Sequence, residues 1–301
     1  MRCVVIVSFL NEAAYLPTFL ESIDRQTRRP DRLVLVDDGS DDRSLELAAA
    51  FAADRPWVQE LHRPRRPKPK DRLRGAPELE AFLWAVDLIG GDYDVVVKMD
   101  ADLRLSAAHF ETVLHALEAD PRLGIAGTYI AEELTPGRLQ LARQPPYHVR
   151  GNTRFYRRAC FEEISPIPVM LGWDGADEVR ARARGWRTRS LAVEGEPTVH
   201  LRPTGLHDGR LRAHARWGEC ALAVGAPPVG VAAGGALRMR DRPRVLGGVA
   251  YGLGWATARW RGVARVPADI RAAKRAEQRA QARRALSGLA ARVRRRPRAT
   301  A

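Results

Sequence analysis

Two carboxylates two positions apart, Asp100 and Asp102, follow directly on the strongest strand signal of the chain, Asp94–Met99 (DVVVKM). Acidic groups at a strand end can approach one hard cation together, leaving water or diphosphate oxygens to complete its shell, and Mg²⁺ or Mn²⁺ is the fitting ion. A second acidic strand end, Val36-Asp37-Asp38-Gly39-Ser40, lies upstream. One carboxylate there suffices for turn and cap chemistry. A second can accept a hydrogen bond from a nucleobase N–H or a ribose hydroxyl, as acidic residues do beyond the carboxyl ends of strands in open α/β sheets. Either motif alone is also an ordinary solvated turn, so the weight rests on placement. Neither G-x-G-x-x-G nor G-x-x-x-x-G-K-[ST] occurs, which argues against a Rossmann cofactor and a P-loop nucleotide.

These side chains need a sheet to hold them. Short apolar runs alternate with helical patterns through the first half of the chain, the signature of βα units around a mostly parallel sheet. Strands are expected at Cys3–Ser8, Arg32–Asp37, Val58–Leu61, Asp94–Met99 and Ile125–Ile130. Helices are expected at Tyr15–Ile23, after a cap at Asp41-Asp42, at Glu78–Ile89 and around Phe110–Leu117. The basic, proline-broken stretch His62–Pro77 reads as a loop, and its Arg63, Arg65, Arg66, Lys68 and Lys70 could close over phosphates or stay solvated.

The 301 residues carry 50 Lys/Arg against 36 Asp/Glu, a net +14, with 45% hydrophobic residues. That excludes disordered and collagen-like chains and leaves room for a large α/β domain with an appendage. Cys3, Cys160 and Cys220 show no spacing for a disulfide framework or a cysteine zinc site, which suits a reducing compartment. From Arg238 onward there are 18 Lys/Arg and 3 Asp/Glu, so the basicity belongs to a tail. The opening apolar run is too short for a secretory leader, which makes the cytoplasm the expected location. No stretch offers the ~20 clean apolar residues of a membrane span. Cys220–Leu237 is long enough, but Pro227-Pro228 and several glycines make it read as irregular and interfacial.

In order along the chain, Val4-Val-Ile-Val-Ser-Phe-Leu-Asn11-Glu12, Val34-Leu-Val-Asp-Asp-Gly-Ser40, Val96-Val-Lys-Met-Asp-Ala-Asp102, Gly172-Trp-Asp-Gly-Ala-Asp-Glu178 and Val199-His-Leu-Arg-Pro-Thr-Gly205 resemble glycosyltransferase family 2, of the GT-A fold. The resemblance covers roughly residues 1–205. It implies an α/β nucleotide-diphospho-sugar transferase fold, with a catalytic domain at 1–237 (nucleotide-sugar half 1–130, acceptor half 131–237) and a basic, partly amphipathic helical tail at 238–301. It also implies nucleotide-sugar contacts from Ser8, Asn11, Glu12, Asp37, Asp38, Lys98 and Asp100, and metal contacts from Asp102 and His200. The resemblance places the general base in the Gly172–Glu178 segment, favouring Asp174, which lies at the family's usual distance before the Gly185 turn, with Asp177 and Glu178 as close competitors, while either Asp could merely cap a helix. The expected reaction is a metal-assisted, inverting transfer of one sugar to a saccharide or lipid-linked acceptor. Processive members carry Q-x-x-R-W; here the nearest match, Ala213-His-Ala-Arg-Trp217, lacks the Gln.

A lipid-linked acceptor gives the tail a role. Trp255, Trp260 and the apolar Val245–Gly254 stretch among arginines fit docking on an anionic membrane at the inner face of the cell. No nucleic-acid motif accompanies the charge. Two other functions compete with this reading. A sugar nucleotidyltransferase needs a Gly-rich N-terminal loop followed by basic residues, which Val7–Asn11 does not supply. A non-catalytic anionic-surface-binding module would make the tail the working part.

Overall fold

The computed structural model describes residues 1–64, 75–135, 137–142, 144–202, 209–240 and 243–294. Arg65, Arg66, Lys68, Lys70 and Gly205 lie outside the described residues. Met1–His207 forms one compact unit and Asp208–Ala301 another. The division thus falls earlier than residue 237, and the chain from Arg210 to Arg238 belongs to the second unit.

The first unit runs β1 (Cys3–Phe9), α1 (Leu16–Asp24), β2 (Arg32–Asp37), α2 (Ser44–Ala52), β3 (Val58–His62), α3 (Pro77–Ile89), β4 (Val95–Asp100), β5 (Leu103–Arg104), α4 (His109–Ala119), β6 (Leu123–Thr128), β7 (Ile130–Thr135), β8 (Arg138–Leu141), β9 (Thr153–Arg157), α5 (Arg158–Ile164), α6 (Trp173–Ala183), β10 (Arg187–Leu191) and β11 (Thr198–His200). Seven strands form the main sheet in the order β10-β6-β9-β4-β1-β2-β3, and β5-β11-β7-β8 form a smaller one. The main sheet is parallel except at β9, which runs antiparallel to β4 and β6.

Strands β1, β2 and β4 are apolar without interruption because both faces are covered. Val5, Val7, Leu33, Leu35, Val97 and Met99 pack with Phe19 of α1 and Phe110 of α4. The alternate residues Val4, Ile6, Val34, Val36 and Val96 pack with Phe82 of α3 and Phe161 of α5. The register then aligns the carboxyl ends: Phe9 lies opposite Asp37, and Ser8 opposite Asp100. The strand expected at Ile125–Ile130 divides at Tyr129, its first part joining the main sheet as β6 and its continuation, β7, the small one.

The second unit contains α7 (Arg210–Ala223), α8 (Pro228–Arg238), α9 (Leu246–Trp260) and α10 (Ala268–Arg294). The expectation that Cys220–Leu237 is irregular is corrected. Gly225, at φ +85°, ends α7, and Pro228 starts α8, where its missing N–H costs nothing. The glycines serve as helix contacts: a Cβ on Gly218 would stand 2.0 Å from the Tyr251 carbonyl oxygen, and one on Gly254 2.0 Å from that of Ala215. Among the described residues no helix is long and apolar enough to cross a membrane.

Candidate active site

Where β4 ends, the chain turns through Ala101 and re-enters the small sheet at β5. The antiparallel pairing of β5 with β11 sets His200 opposite Leu103, and Leu201 N–H donates to the Asp102 carbonyl at 2.9 Å. These backbone contacts bring His200 Nε2 to 3.2 Å from Asp102 Oδ2. The other oxygen, Asp102 Oδ1, is buried and accepts no hydrogen bond among the described residues. Burial alone would raise the Asp102 carboxyl, but the hydrogen bond and charge of His200, with the charge of Arg202, outweigh it and hold the pKa low. Strand β11 is itself anchored. Thr198 Oγ1 lies 2.8 Å from His109 Nδ1 and accepts the Ser106 N–H at 3.2 Å.

Arg202 ties this pair to the loop after β1. Its guanidinium pairs with the Glu12 carboxylate, its Nε lies 3.6 Å from Asp102 Oδ2, and it covers the Tyr15 ring at 5.0 Å. Burial pushes Glu12 up to about 7, with Arg202 opposing and Asp102 and Asp100 adding to the rise.

Beneath lies a buried cation. Lys98 Nζ pairs with Asp100 Oδ1 and sits 5.4 Å from the Trp173 ring centroid. Trp173 Nε1 donates to Glu78 Oε1 at 3.3 Å, and Ser8 Oγ donates to the Glu78 carbonyl at 3.1 Å. Burial raises the Glu78 carboxyl, opposed by Lys98 and reinforced by Asp100.

At the end of β2 the two carboxylates divide their tasks. Asp37 accepts the N–H groups of Ser40 at 3.0 Å and Gly39 at 3.3 Å, closing the turn that Gly39 makes at φ +86°. Asp38 Oδ1 instead receives Arg63 Nη1 at 2.6 Å, and that guanidinium lies over Trp84 at 5.5 Å. Asn11, held at φ +58°, accepts the Asp41 N–H at 2.8 Å and donates its own N–H to Ser40 Oγ at 3.0 Å, joining the two loops. The N-cap position of α2 is Arg43, which makes no side-chain cap bond, rather than the expected Asp41-Asp42; Asp42, one residue earlier, accepts the Ser44 N–H at 2.9 Å.

Helix α6 separates Asp174 from Asp177. Asp174 lies in the first turn, half-buried, and accepts no hydrogen bond from the described residues. Asp177 is sealed inside: Oδ1 pairs with Arg154 and accepts the Glu178 N–H at 2.6 Å, and Oδ2 accepts the Tyr156 hydroxyl at 2.5 Å. Burial pushes Asp177 up to about 6 against the opposing charge of Arg154. Glu178 is likewise committed, accepting Arg154 Nη2 at 3.0 Å and the Val149 N–H at 2.6 Å.

The fold therefore joins Glu12, Asp102 and His200 through Arg202, and Lys98 with Asp100. Asp38 pairs with Arg63, beside Glu80 and Trp84, and Ser8, Asn11 and Asp37 serve the loops. Glu78, Arg154 and the indole of Trp173 carry the floor of the site, and the sequence reading did not single them out. The one signal was a charge inside the apolar strand Thr153-Arg-Phe-Tyr156. Among the described residues no three His, Cys, Asp or Glu side chains form a cluster that could hold a metal. Asp102 and His200 supply two donors, and the unclaimed Asp102 Oδ1 fits an ion that keeps water or diphosphate oxygens in the rest of its shell.

An open α/β sheet with acidic groups gathered at its strand ends is the arrangement of sugar-nucleotide transferases of the GT-A type. The family model described as glycosyl transferase family 2 matches residues 4–170, and the chain belongs to that family. It is 35% identical over 178 residues to a PGL/p-HBAD biosynthesis glycosyltransferase of Mycobacterium tuberculosis, covering 56% of this chain and 66% of that relative, so just under two thirds of the relative's length is matched. Over 102 residues it is 38% identical to an undecaprenyl-phosphate mannosyltransferase of Micrococcus luteus, covering 34% of this chain and 38% of the relative. The fold resembles the mannosyltransferase PcManGT of Pyrobaculum calidifontis in complex with GDP-Man and Mn²⁺ (TM-score 0.53, 18% identity, 93% of this chain and 80% of that one). It also resembles GalNAc-T7 with UDP, GalNAc and Mn²⁺ (TM-score 0.54, 14% identity, 75% and 48%).

Proposed function

We propose that this chain transfers one sugar from a nucleotide-diphosphate-sugar to a lipid-linked or saccharide acceptor, inverting the anomeric centre, in cell-envelope glycan synthesis. The observation that carries the reading is the Asp102–His200 pair with its unclaimed, buried carboxylate oxygen. The undecaprenyl-phosphate mannosyltransferase relative favours a lipid-linked acceptor over a free saccharide. Such an acceptor is met at the cytoplasmic face of the cell membrane.

In this mechanism Asp38, steadied by Arg63, faces the nucleoside, and Glu12 with Arg202 borders the diphosphate. Asp102 and His200 would hold Mg²⁺ or Mn²⁺, which offsets charge on the departing nucleoside diphosphate. Asp174 is the base: it takes the proton of the acceptor hydroxyl as that oxygen attacks the anomeric carbon from the side opposite the leaving group. Asp177 is unsuited to this, since Arg154, Tyr156 and the Glu178 N–H claim its oxygens in the protein interior. Lys98 neutralises Asp100, so the strand end holds less unpaired charge than its sequence suggests.

Thermal-shift titration of the full chain with UDP-, GDP- and dTDP-sugars, with and without Mn²⁺, tests the reading. Stabilisation by one nucleotide-sugar that requires Mn²⁺ and vanishes in Asp102→Ala is expected. Pyrophosphate release from a nucleoside triphosphate and a sugar phosphate would identify a nucleotidyltransferase instead.

A further inference from the structure

Helix α9 turns its small residues inward and its large apolar residues to water. Gly247, Gly248, Tyr251, Gly254 and Ala258 are buried. Leu246, Val249, Leu253 and Trp260 are 54%, 45%, 59% and 87% exposed. At about 100° per residue these four side chains fall within an arc of about 60°, so they form a single stripe. Full burial of such a side chain is worth roughly 1.5–3 kcal/mol, of which about half is forgone at Leu246, Val249 and Leu253 and most at Trp260, and this marks the stripe as a face awaiting a partner.

The surrounding charge says what that partner is. Arg244, Arg259, Arg261 and Arg265 are exposed at the two ends of α9, and no acidic residue occurs between Asp241 and Asp269. A second copy of this chain would set arginine against arginine across the stripe. A surface that is apolar within and anionic at its rim matches both features, with apolar side chains at the acyl boundary and guanidinium groups among phosphates. At 15 residues α9 is about 22 Å long, short of the ~30 Å hydrocarbon core, so it suits lying in the interface rather than crossing it.

We propose that the outward face of α9 is an interfacial docking surface for an anionic phospholipid bilayer. This assigns docking to four residues of one helix rather than to the basic tail at large. Trp255 is not among them: its ring is half-buried and its Nε1 is enclosed without a partner among the described residues. The proposal uses no residue of the candidate active site, so it stands or falls apart from the transferase reading.

The test is co-sedimentation of the full chain with vesicles of phosphatidylcholine alone and of phosphatidylcholine mixed with phosphatidylglycerol. The wild type should bind the mixed vesicles and weaken with salt. Leu253→Ser with Trp260→Ser should lower partitioning on the order of 10- to 100-fold while leaving the circular dichroism spectrum unchanged. Arg259→Glu with Arg261→Glu should lower it about tenfold or more, on the mixed vesicles only. The proposal is overturned if the wild type binds neither vesicle, or if the serine variant binds like wild type, which would leave a purely electrostatic tail. It is equally overturned if the wild type elutes as a dimer that the serine variant dissociates, since the stripe would then be a contact between copies.

Discussion

His200 Nε2 stands 3.2 Å from Asp102 Oδ2, and the pair is held by the antiparallel register of β11 on β5 rather than by its own attraction. Removing either side chain therefore leaves the backbone frame in place. His200→Ala and Asp102→Ala should fold normally yet lose the Mn²⁺-dependent part of nucleotide binding, with Asp102→Ala the more severe because it removes a charged donor. Isothermal titration of nucleotide with and without Mn²⁺ checks this. Equal affinities in the two conditions for wild type would remove the metal from the reading.

Asp174 and Asp177 lie three residues apart on one helix and should fail in different ways. Asp174→Asn should keep stability and donor binding while turnover falls by a factor on the order of 10²–10⁴, the usual reach of general-base catalysis. Asp177→Ala removes one of the two carboxylates paired with the buried Arg154 guanidinium and leaves the Tyr156 hydroxyl without its acceptor, and should cost up to ~3–5 kcal/mol of stability. Denaturant unfolding beside a transfer assay separates the two. A stable but inactive Asp177→Asn would move the base three residues along.

Much of this frame was legible in the sequence because β1, β2 and β4 are buried on both faces and so read as unbroken apolar runs ending in acidic residues. His200 was legible only through the family resemblance, since the three-residue strand Thr198–His200 is too short to show a period. Arg154 hid for another reason: its partners Asp177 and Glu178 lie 23 and 24 residues away in sequence, and no local pattern links a charge inside a strand to a distant helix. In the second unit the glycines misled, because their intrinsic cost to a helix is visible locally while the close helix crossings that offset it are not.

His109 should make the first unit sensitive to acid. Full burial lowers its pKa to about 3, so the folded protein keeps the ring neutral while the unfolded chain takes up a proton near 6.5. Between those values the unfolded state binds more protons, and stability rises with pH. The contribution is complete above about 6.5 and falls on acidification by up to ~1.4 kcal/mol per pH unit until about 3. Urea unfolding at neutral and mildly acidic pH should show a smaller acid loss in His109→Gln than in wild type; parallel losses would mean that other groups govern the acid limb.

The two glycines Gly218 and Gly252 offer a paired test of how the helices of the second unit pack. A Cβ on Gly218 would meet the Tyr251 carbonyl oxygen at 2.0 Å, and that atom is backbone, so α7 and α9 would have to part. Gly218→Ala should therefore cost about 1–3 kcal/mol despite alanine's better helix propensity. At Gly252 nothing lies within 4 Å, and Gly252→Ala should instead gain up to ~1 kcal/mol from propensity alone. Thermal unfolding of both variants reads the contrast. Stabilisation by Gly218→Ala would show that α7 and α9 do not cross in backbone contact.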